Sequence, residues 1–326
     1  MPAPSPRATL IGEWALRCLR AGTRGRVIAR VSSAAYLDWS GAEVLWIAGS
    51  GTPSHRRCLR ISEPAPPVEV GDEAWVEEDT LFFGSGLRVS LGGAPTLGRR
   101  SIVSPRGLPL GSLASRRSAL VETALALGSP RGLGVFLPAI AACRCSLRSW
   151  SDATLNAAWP VVSELVSVAV GDSPPSRIHE AGRLIGLGPG LTPSGDDFLG
   201  GFLFTWHHLH KVYPSLPGVP RLNGLRAGAD RTNAISLAWL RDLAQGEGVT
   251  PLHEVVEGLI GRVSPPNLQN ALRRLLALGH STGWDLLTGA VAGLGLSARP
   301  GVPVVSPAFD RMPATQEGRH GHQTTH

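Results

Sequence analysis

This chain is almost without lysine. It has 31 basic side chains, and only Lys211 is lysine; the rest are arginine. Lys211 lies in no phosphate-loop or Schiff-base context, so chemistry built on a dedicated lysine lacks its residue. The arginines are scattered and are not interleaved with aromatics. The net charge of +6 therefore reads as composition and not as a nucleic-acid footprint. Cysteine is scarce as well. Cys18, Cys58, Cys143 and Cys145 have neither metal-knuckle nor thioredoxin spacing, which suits reduced thiols in a cytoplasmic protein. There is no His-Glu-x-x-His zinc helix and no Gly-x-Ser-x-Gly elbow, so the standard zincin and hydrolase readings have no support. Long apolar runs are missing too. The best candidate, 157–170, contains Pro160 and Glu164 and is short for a bilayer. The start, Met1-Pro-Ala-Pro-Ser-Pro, lacks the basic segment of a signal peptide, and Glu13 interrupts the apolar stretch that follows. The expectation is a soluble cytoplasmic protein with neither a membrane nor a nucleic acid among its partners.

What is present is core material: 43% hydrophobic residues and 17% charged residues in 326, enough for about two domains. Residues 1–9 and the polar tail 311–326 read as disordered. A short helix is expected over 9–20. Six short apolar or alternating runs follow: 27–31, 44–47, 57–61, 74–76, 81–83 and 87–91. Gly, Pro, Ser and Asp punctuate them evenly, which suggests a small barrel or sandwich over 10–112, with 92–112 as linker. The period then changes from 2 to 3.6. Helices are expected over 113–127, 155–170, 177–185, 197–210, 225–243, 252–260, 268–278 and 284–296, with Pro160 kinking or bounding its own. The fold class is therefore α+β: an N-terminal small β domain, then a larger, mainly α-helical domain over 113–310.

The most informative stretch is Gly186-Leu-Gly-Pro-Gly-Leu-Thr-Pro-Ser-Gly-Asp-Asp197. Glycine backbone can approach a ligand closely and take positive φ. The apolar run after Asp197 restarts a helix, and a helix start is a natural place for an anion or polar ligand. Capping explains part of it. Thr192 can cap with Pro193 at the first helical position, or Ser194 can cap with Asp197 closing a box. Neither uses both hydroxyls and both carboxylates. A bare phosphate beside Asp196 and Asp197 is disfavoured, since like charges about 4 Å apart repel by roughly 4 kcal/mol at an effective dielectric of about 20. A bridging Mg²⁺, a neutralising Arg, or an amide-type substrate that donates N–H groups each resolves this, and the sequence does not choose among them.

Two shorter constellations follow. In Arg231-Thr-Asn-Ala-Ile-Ser236, Asn233 and Ser236 are three apart on one helical face and can aim at one spot. In Leu278-Gly-His-Ser-Thr-Gly-Trp-Asp285, Gly279 ends one helix, Ser281 or Thr282 can cap the next, and Asp285 falls in its first turn. His280 at that junction reads equally as a structural histidine or as a proton-transfer group.

Taken together, the glycine loop, Thr232-Asn-Ala-Ile-Ser236 and Gly279-His-Ser-Thr-Gly-Trp-Asp-Leu-Leu-Thr-Gly289 resemble a bacterial family once described as putative carboxylases, which includes the AllH subunit of oxamate carbamoyltransferase. The order and spacing of the blocks match over roughly 115–297; the β region matches only loosely. The resemblance implies a role in anaerobic allantoin breakdown, converting oxalurate and phosphate to oxamate and carbamoyl phosphate. It also implies a complex with FdrA-like and AllG-like subunits. Residue roles follow from the motifs alone. Backbone donors at Gly188, Gly190 and Ser194, with Thr192 and Gly195, would hold a small carboxylate or phosphate. Asp196 and Asp197 would hold Mg²⁺ or the substrate's amide N–H groups. Asp196, Asp197 and His280 form the catalytic set. Asn233, Ser236, Ser281 and Asp285 complete the binding set.

Overall fold

A computed structural model of the chain describes residues 6–41, 43–99, 108–142, 149–173, 175–216, 229–261 and 265–295. Cys143, Cys145, the first five residues and the tail expected to be disordered lie outside the described residues.

The N-terminal part is one curled sheet of nine strands followed by helices, an α+β arrangement. The strands are β1 (Ala8–Gly12), β2 (Arg24–Arg30), β3 (Ala34–Trp39), β4 (Glu43–Ala48), β5 (Cys58–Ile61), β6 (Glu73–Glu77), β7 (Thr80–Phe83), β8 (Arg88–Ser90) and β9 (Thr96–Leu97). Their order across the sheet is β8-β7-β6-β2-β3-β4-β5-β1-β9. Most pairs are antiparallel; β4 with β5 and β1 with β9 are parallel. A bridge from Arg7 to Ser90 brings the lead-in to β1 back against β8, so the sheet curls as a half-barrel over its own core. The expected helix over 9–20 is instead strand β1 followed by a short helix, α1 (Glu13–Cys18). The expected disorder up to residue 9 and the expected linker are corrected as well. Ala8 and Thr9 belong to β1, Thr96 and Leu97 form β9, and a helix already begins at Leu110.

The remaining helices are α2 (Leu110–Leu127), α3 (Leu137–Ala141), α4 (Ala153–Val170), α5 (Ser194–Val212), α6 (Ala234–Ala244), α7 (Thr250–Ile260), α8 (Pro265–Leu276) and α9 (Thr282–Gly293). A 3₁₀ segment occupies Pro175–Leu184, where an α-helix was expected, and another, Gly132–Phe136, leads into α3. Of the expected helix over 225–243, its first four positions lie outside the described residues and the helix itself begins at Ala234. Pro160 does not end its helix: α4 runs through it. Helix α4 is, by length and composition alone, apolar enough to cross a membrane, which the shorter stretch read from sequence was not. Half of it is buried inside the fold, with Trp159, Val162, Leu165 and Val166 in the helical core.

Two features position the site. The first is the centre of the sheet, which is buried on both faces. Ala35, Leu37, Leu45, Ile47 and Leu59 point into the curled sheet, while Ala34, Trp46, Ala48 and Cys58 join the helical core. Strands covered on both sides lose the polar-apolar alternation of a half-exposed sheet. The second is the close crossing of α5 and α9. A Cβ on Gly201 would come within 2.1 Å of the Leu286 carbonyl oxygen, and one on Gly289 within 1.9 Å of that of Phe198. Only glycine permits this approach. It holds the first turns of α5 and α9, with Asp197 and Asp285, side by side.

A buried ion pair ties sheet to helices. Arg57, ahead of β5, donates through Nε and Nη2 to the two oxygens of Asp242 in α6, and Asp242 is 2% exposed. His55 packs beside this pair, stacked on Trp46 with centroids 4.7 Å apart. Burial, with the nearby Arg57 and Arg56, pushes its imidazole well below the usual range, so it sits there neutral.

Candidate functional site

The loop ahead of α5 is pinned at its N-terminal end. Gly186, at φ 78°, packs so closely on the Arg231 carbonyl that a Cβ would lie 1.9 Å from its oxygen. Its N–H donates to Asp196 Oδ1 at 2.7 Å. The other oxygen of Asp196 accepts from Thr232 Oγ1 and Ser236 Oγ. Asp196 is fully buried, and three donors occupy its two oxygens. This correction to the paired-carboxylate expectation has a plain cause: Asp196 is the knot that joins loop, α5 and α6, and it offers no free oxygen to a cation. Among the described residues no three His, Cys, Asp or Glu side chains gather as a metal site.

Neither expected cap forms at the start of α5. Pro193 occupies the N-cap position, and its carbonyl accepts from the N–H groups of Asp196 and Asp197. The Gly195 N–H is taken by the Leu187 carbonyl at 2.8 Å. The N–H groups of Gly195, Asp196 and Asp197 are thus spent inside the chain. Gly195 faces backbone and not a ligand, and Gly188 backs onto Ser194. At α9 the Ser281 side chain makes no capping bond, and Asp285 Oδ1 instead accepts from the Leu133 N–H at 2.6 Å. The side chain that does cap is one read from sequence as half of a convergent pair: Asn233 accepts from Ser236 N–H at 3.0 Å and donates through Nδ2 to the Leu191 carbonyl. Asn233 is therefore the start of α6 and a strap on the loop. It does not converge with Ser236, whose hydroxyl turns to Asp196.

Released from capping, the hydroxyls meet each other. Thr192 Oγ1 lies 3.1 Å from Thr282 Oγ1, and Ser194 Oγ 3.4 Å from Ser281 Oγ. Behind them are two buried carboxyls. Asp197 accepts from Trp239 Nε1 at 3.0 Å through Oδ1. Its Oδ2, like Oδ2 of Asp285, is buried without a full hydrogen bond. Burial, reinforced by Asp285, raises Asp197 well above the usual carboxylate range, against the pull of the Thr192, Thr282 and Trp239 donors. Burial likewise raises Asp285 to about 7, opposed by Ser194, Ser281 and the Leu133 N–H.

In front of the hydroxyls opens a cleft of about 590 Å³. The first and third sequence blocks line it through Gly190, Thr192, Ser281, Thr282 and the exposed His280. The second block contributes Ile235, and Trp239 follows it one turn on in α6. The opposite wall comes from the sheet: Ser32, Ser33, Tyr36, Trp46 and Thr52. Tyr36 and Trp46 lie with centroids 5.8 Å apart, and Trp46 meets Trp239 edge-on at 6.3 Å. Burial beside Asp197 lifts the Tyr36 phenol to about 12. Gly188, Ser194, Gly195, Asp196, Asp197, Asn233, Ser236 and Asp285 are not among its lining; they stand behind the wall or away from it. Sequence reasoning missed Tyr36, Trp46, Trp239 and Thr282. The first two have no motif signal at all, and the last two lie within or beside recognised blocks.

No solved structure matches the chain. Residues 184–294, which carry all three blocks and the whole helical side of the cleft but none of the sheet, match the model of a family described as oxamate carbamoyltransferase subunit AllH, so that this segment is AllH-like.

Proposed function

We propose that this chain is a subunit of an oxamate carbamoyltransferase-like enzyme of anaerobic allantoin breakdown, acting in the cytoplasm with FdrA-like and AllG-like subunits. One observation carries the reading: the three blocks of the AllH-like segment converge on one cleft, over two buried carboxyls with an unpaired oxygen each. In the reaction, a phosphate oxygen attacks the ureido carbonyl of oxalurate, the C–N bond breaks, and the leaving amide nitrogen of oxamate takes up a proton. Asp197 is the group to supply it. Burial disfavours its charged form and raises it well above the usual carboxylate range, and the Thr192 and Thr282 hydroxyls stand between it and the cleft. His280 lines the cleft and is exposed. Asp196 keeps the loop in place as a positioning residue. A Mg²⁺ bridge between Asp196 and Asp197 is not part of this reading, because the oxygens of Asp196 are occupied.

The test is reconstitution with co-expressed FdrA-like and AllG-like subunits, following carbamoyl phosphate formed from oxalurate and phosphate. Asp197→Asn should lower turnover by about tenfold or more while the complex still assembles. Unchanged turnover would remove this carboxyl from the mechanism. A complex that binds oxalurate but never turns it over would leave the chain as a binding or assembly subunit.

A further inference from the structure

The family match covers only one side of the cleft. It spans 184–294, and the strands opposite lie outside it. A group that the sheet adds to the chemistry is therefore one that the three blocks do not announce. Four hydroxyls stand on that wall: Ser32, Ser33, Tyr36 and Thr52. They are not equally fit to act. Ser32 is exposed in the turn between β2 and β3, and Ser33 is half-buried beside it. Thr52 turns its hydroxyl toward the Ser33 carbonyl.

Tyr36 differs because its ring is held. Its residue is paired on both sides, with Ala29 of β2 and Trp46 of β4. The ring meets that of Trp46 at 5.8 Å, and Trp46 is stacked in turn on the buried His55. Tyr36 also packs on the cluster of Val44, Ile235 and Ala238, against which Leu191 of the glycine loop packs as well. Sheet, α6 and loop thus grip one side chain. Its hydroxyl is unclaimed: among the described residues nothing bonds it. Burial, reinforced by Asp197, lifts the phenol to about 12, so it keeps its proton at working pH.

The proposed transfer has a use for such a donor. As a phosphate oxygen bonds to the ureido carbon, the π pair of the carbonyl moves onto its oxygen, which becomes an oxyanion. The pair then returns, the C–N bond breaks, and the leaving nitrogen takes the Asp197 proton. The proton brought by monohydrogen phosphate replaces the one that Asp197 gives, and the balance closes. Asp197 acts through the floor of the cleft, the Thr192 and Thr282 hydroxyls. A donor already fixed in place stabilises an oxyanion without reorganisation as the charge develops.

We propose that Tyr36 is a further catalytic residue, whose hydroxyl donates from the sheet wall to the carbamoyl oxygen as charge gathers there. This rests on the proposed reaction and adds a residue to it. It makes the sheet part of the active site, and not only a cover over the AllH-like segment.

Tyr36→Phe tests it, because the ring stays and no bond within the described chain is lost. In the reconstituted complex, kcat for carbamoyl phosphate formation should fall by about 100-fold, with KM for oxalurate within about twofold of the parent. A kcat within about threefold of the parent overturns the inference and leaves the reaction standing. So does a loss confined to KM, which would make Tyr36 a binding group alone. A parent complex that never turns oxalurate over overturns both. A second measurement covers a variant that fails to fold or assemble. The chain has two tyrosines, and Tyr213 donates to the Leu108 carbonyl away from the cleft. A complex built with fluorotyrosine in this chain alone therefore gives two fluorine resonances, assigned through Tyr213→Phe. Saturating oxalurate should shift that of Tyr36 and leave that of Tyr213 in place. A Tyr36 resonance that does not move overturns the inference.

Discussion

The glycine loop has two ends, built from the same residue types to opposite effect. At the Gly186 end, Asp196 meets one N–H and two hydroxyls, and every oxygen is used. At the Gly190 end, hydroxyls pair with hydroxyls, and Asp197 and Asp285 are each left with an unpaired buried oxygen. Asp196 and Asp197 are neighbours in sequence and both fully buried. A saturated network stabilises the fold and asks nothing of a ligand. An unsaturated one costs stability, and a fold retains such a cost where a ligand or a proton compensates it. The contrast between the two ends is therefore what places the proposed site at the Gly190 end and a structural role for Asp196 at the other.

The sharpest way to break the comparison is Asp196→Ala. It leaves the buried Ser236 hydroxyl and the half-buried Gly186 N–H and Thr232 hydroxyl without their acceptor, and leaves a small cavity. At about 1–3 kcal/mol for each stranded donor, the expected loss is about 3–5 kcal/mol, read as a fall in the urea midpoint. A loss below about 1 kcal/mol would show that the Asp196 network is dispensable.

At the other end the sign reverses with pH. Asp285 is raised from 3.8 to about 7 by burial, so its charged form is disfavoured in the fold. Below about pH 4 it is protonated in both states and costs nothing. Between about 4 and 7 the unfolded chain ionises first, and stability falls as pH rises. Above about 7 the full penalty is present, at most about 4 kcal/mol. Asp197, raised by the same cause, adds in the same direction. Asp285→Asn keeps an acceptor for the Leu133 N–H and should flatten this fall. Urea midpoints from pH 4 to 8 decide it; parallel curves for parent and variant would mean that Asp285 carries none of the penalty.

The sequence made the helical side of the cleft legible because it holds more polar groups than helix starts require. Two hydroxyls and two carboxylates in one turn were a surplus, and the surplus is what faces the cleft or lies just behind it. Partner choice was another matter. Both hydroxyl-bearing starts look like caps locally, yet Pro193 supplies the carbonyl at α5, and Asp285 finds the Leu133 N–H more than 150 positions away. No spacing rule encodes that. The sheet wall was illegible for a different reason. Ala34-Ala-Tyr-Leu-Asp-Trp39 is strand β3, passed over because its first four residues are all apolar or aromatic and only Asp38 breaks the run, which leaves too little alternation to announce a strand. With β3 missing, Tyr36 had no place, and the cleft had only one side.

The smallest effect lies between the two ends. Asn233 caps α6 by accepting from Ser236, whose hydroxyl bonds Asp196, and holds the Leu191 carbonyl beside Thr192, so it links the saturated knot to the open floor. Its removal should cost about 1 kcal/mol, the usual worth of a lost N-cap, because α6 keeps its buried face and the Arg57–Asp242 pair. Asn233→Asp separates its two tasks: a carboxylate still accepts from the Ser236 N–H, but it cannot donate to Leu191. If the cap alone matters, the aspartate variant regains the stability that the alanine variant loses, and the KM of the reconstituted complex for oxalurate stays at that of the parent with both. If the strap on Leu191 also sets the cleft, both variants raise that KM while only the alanine variant loses stability, and the saturated end then reaches further into function than its bonding suggests.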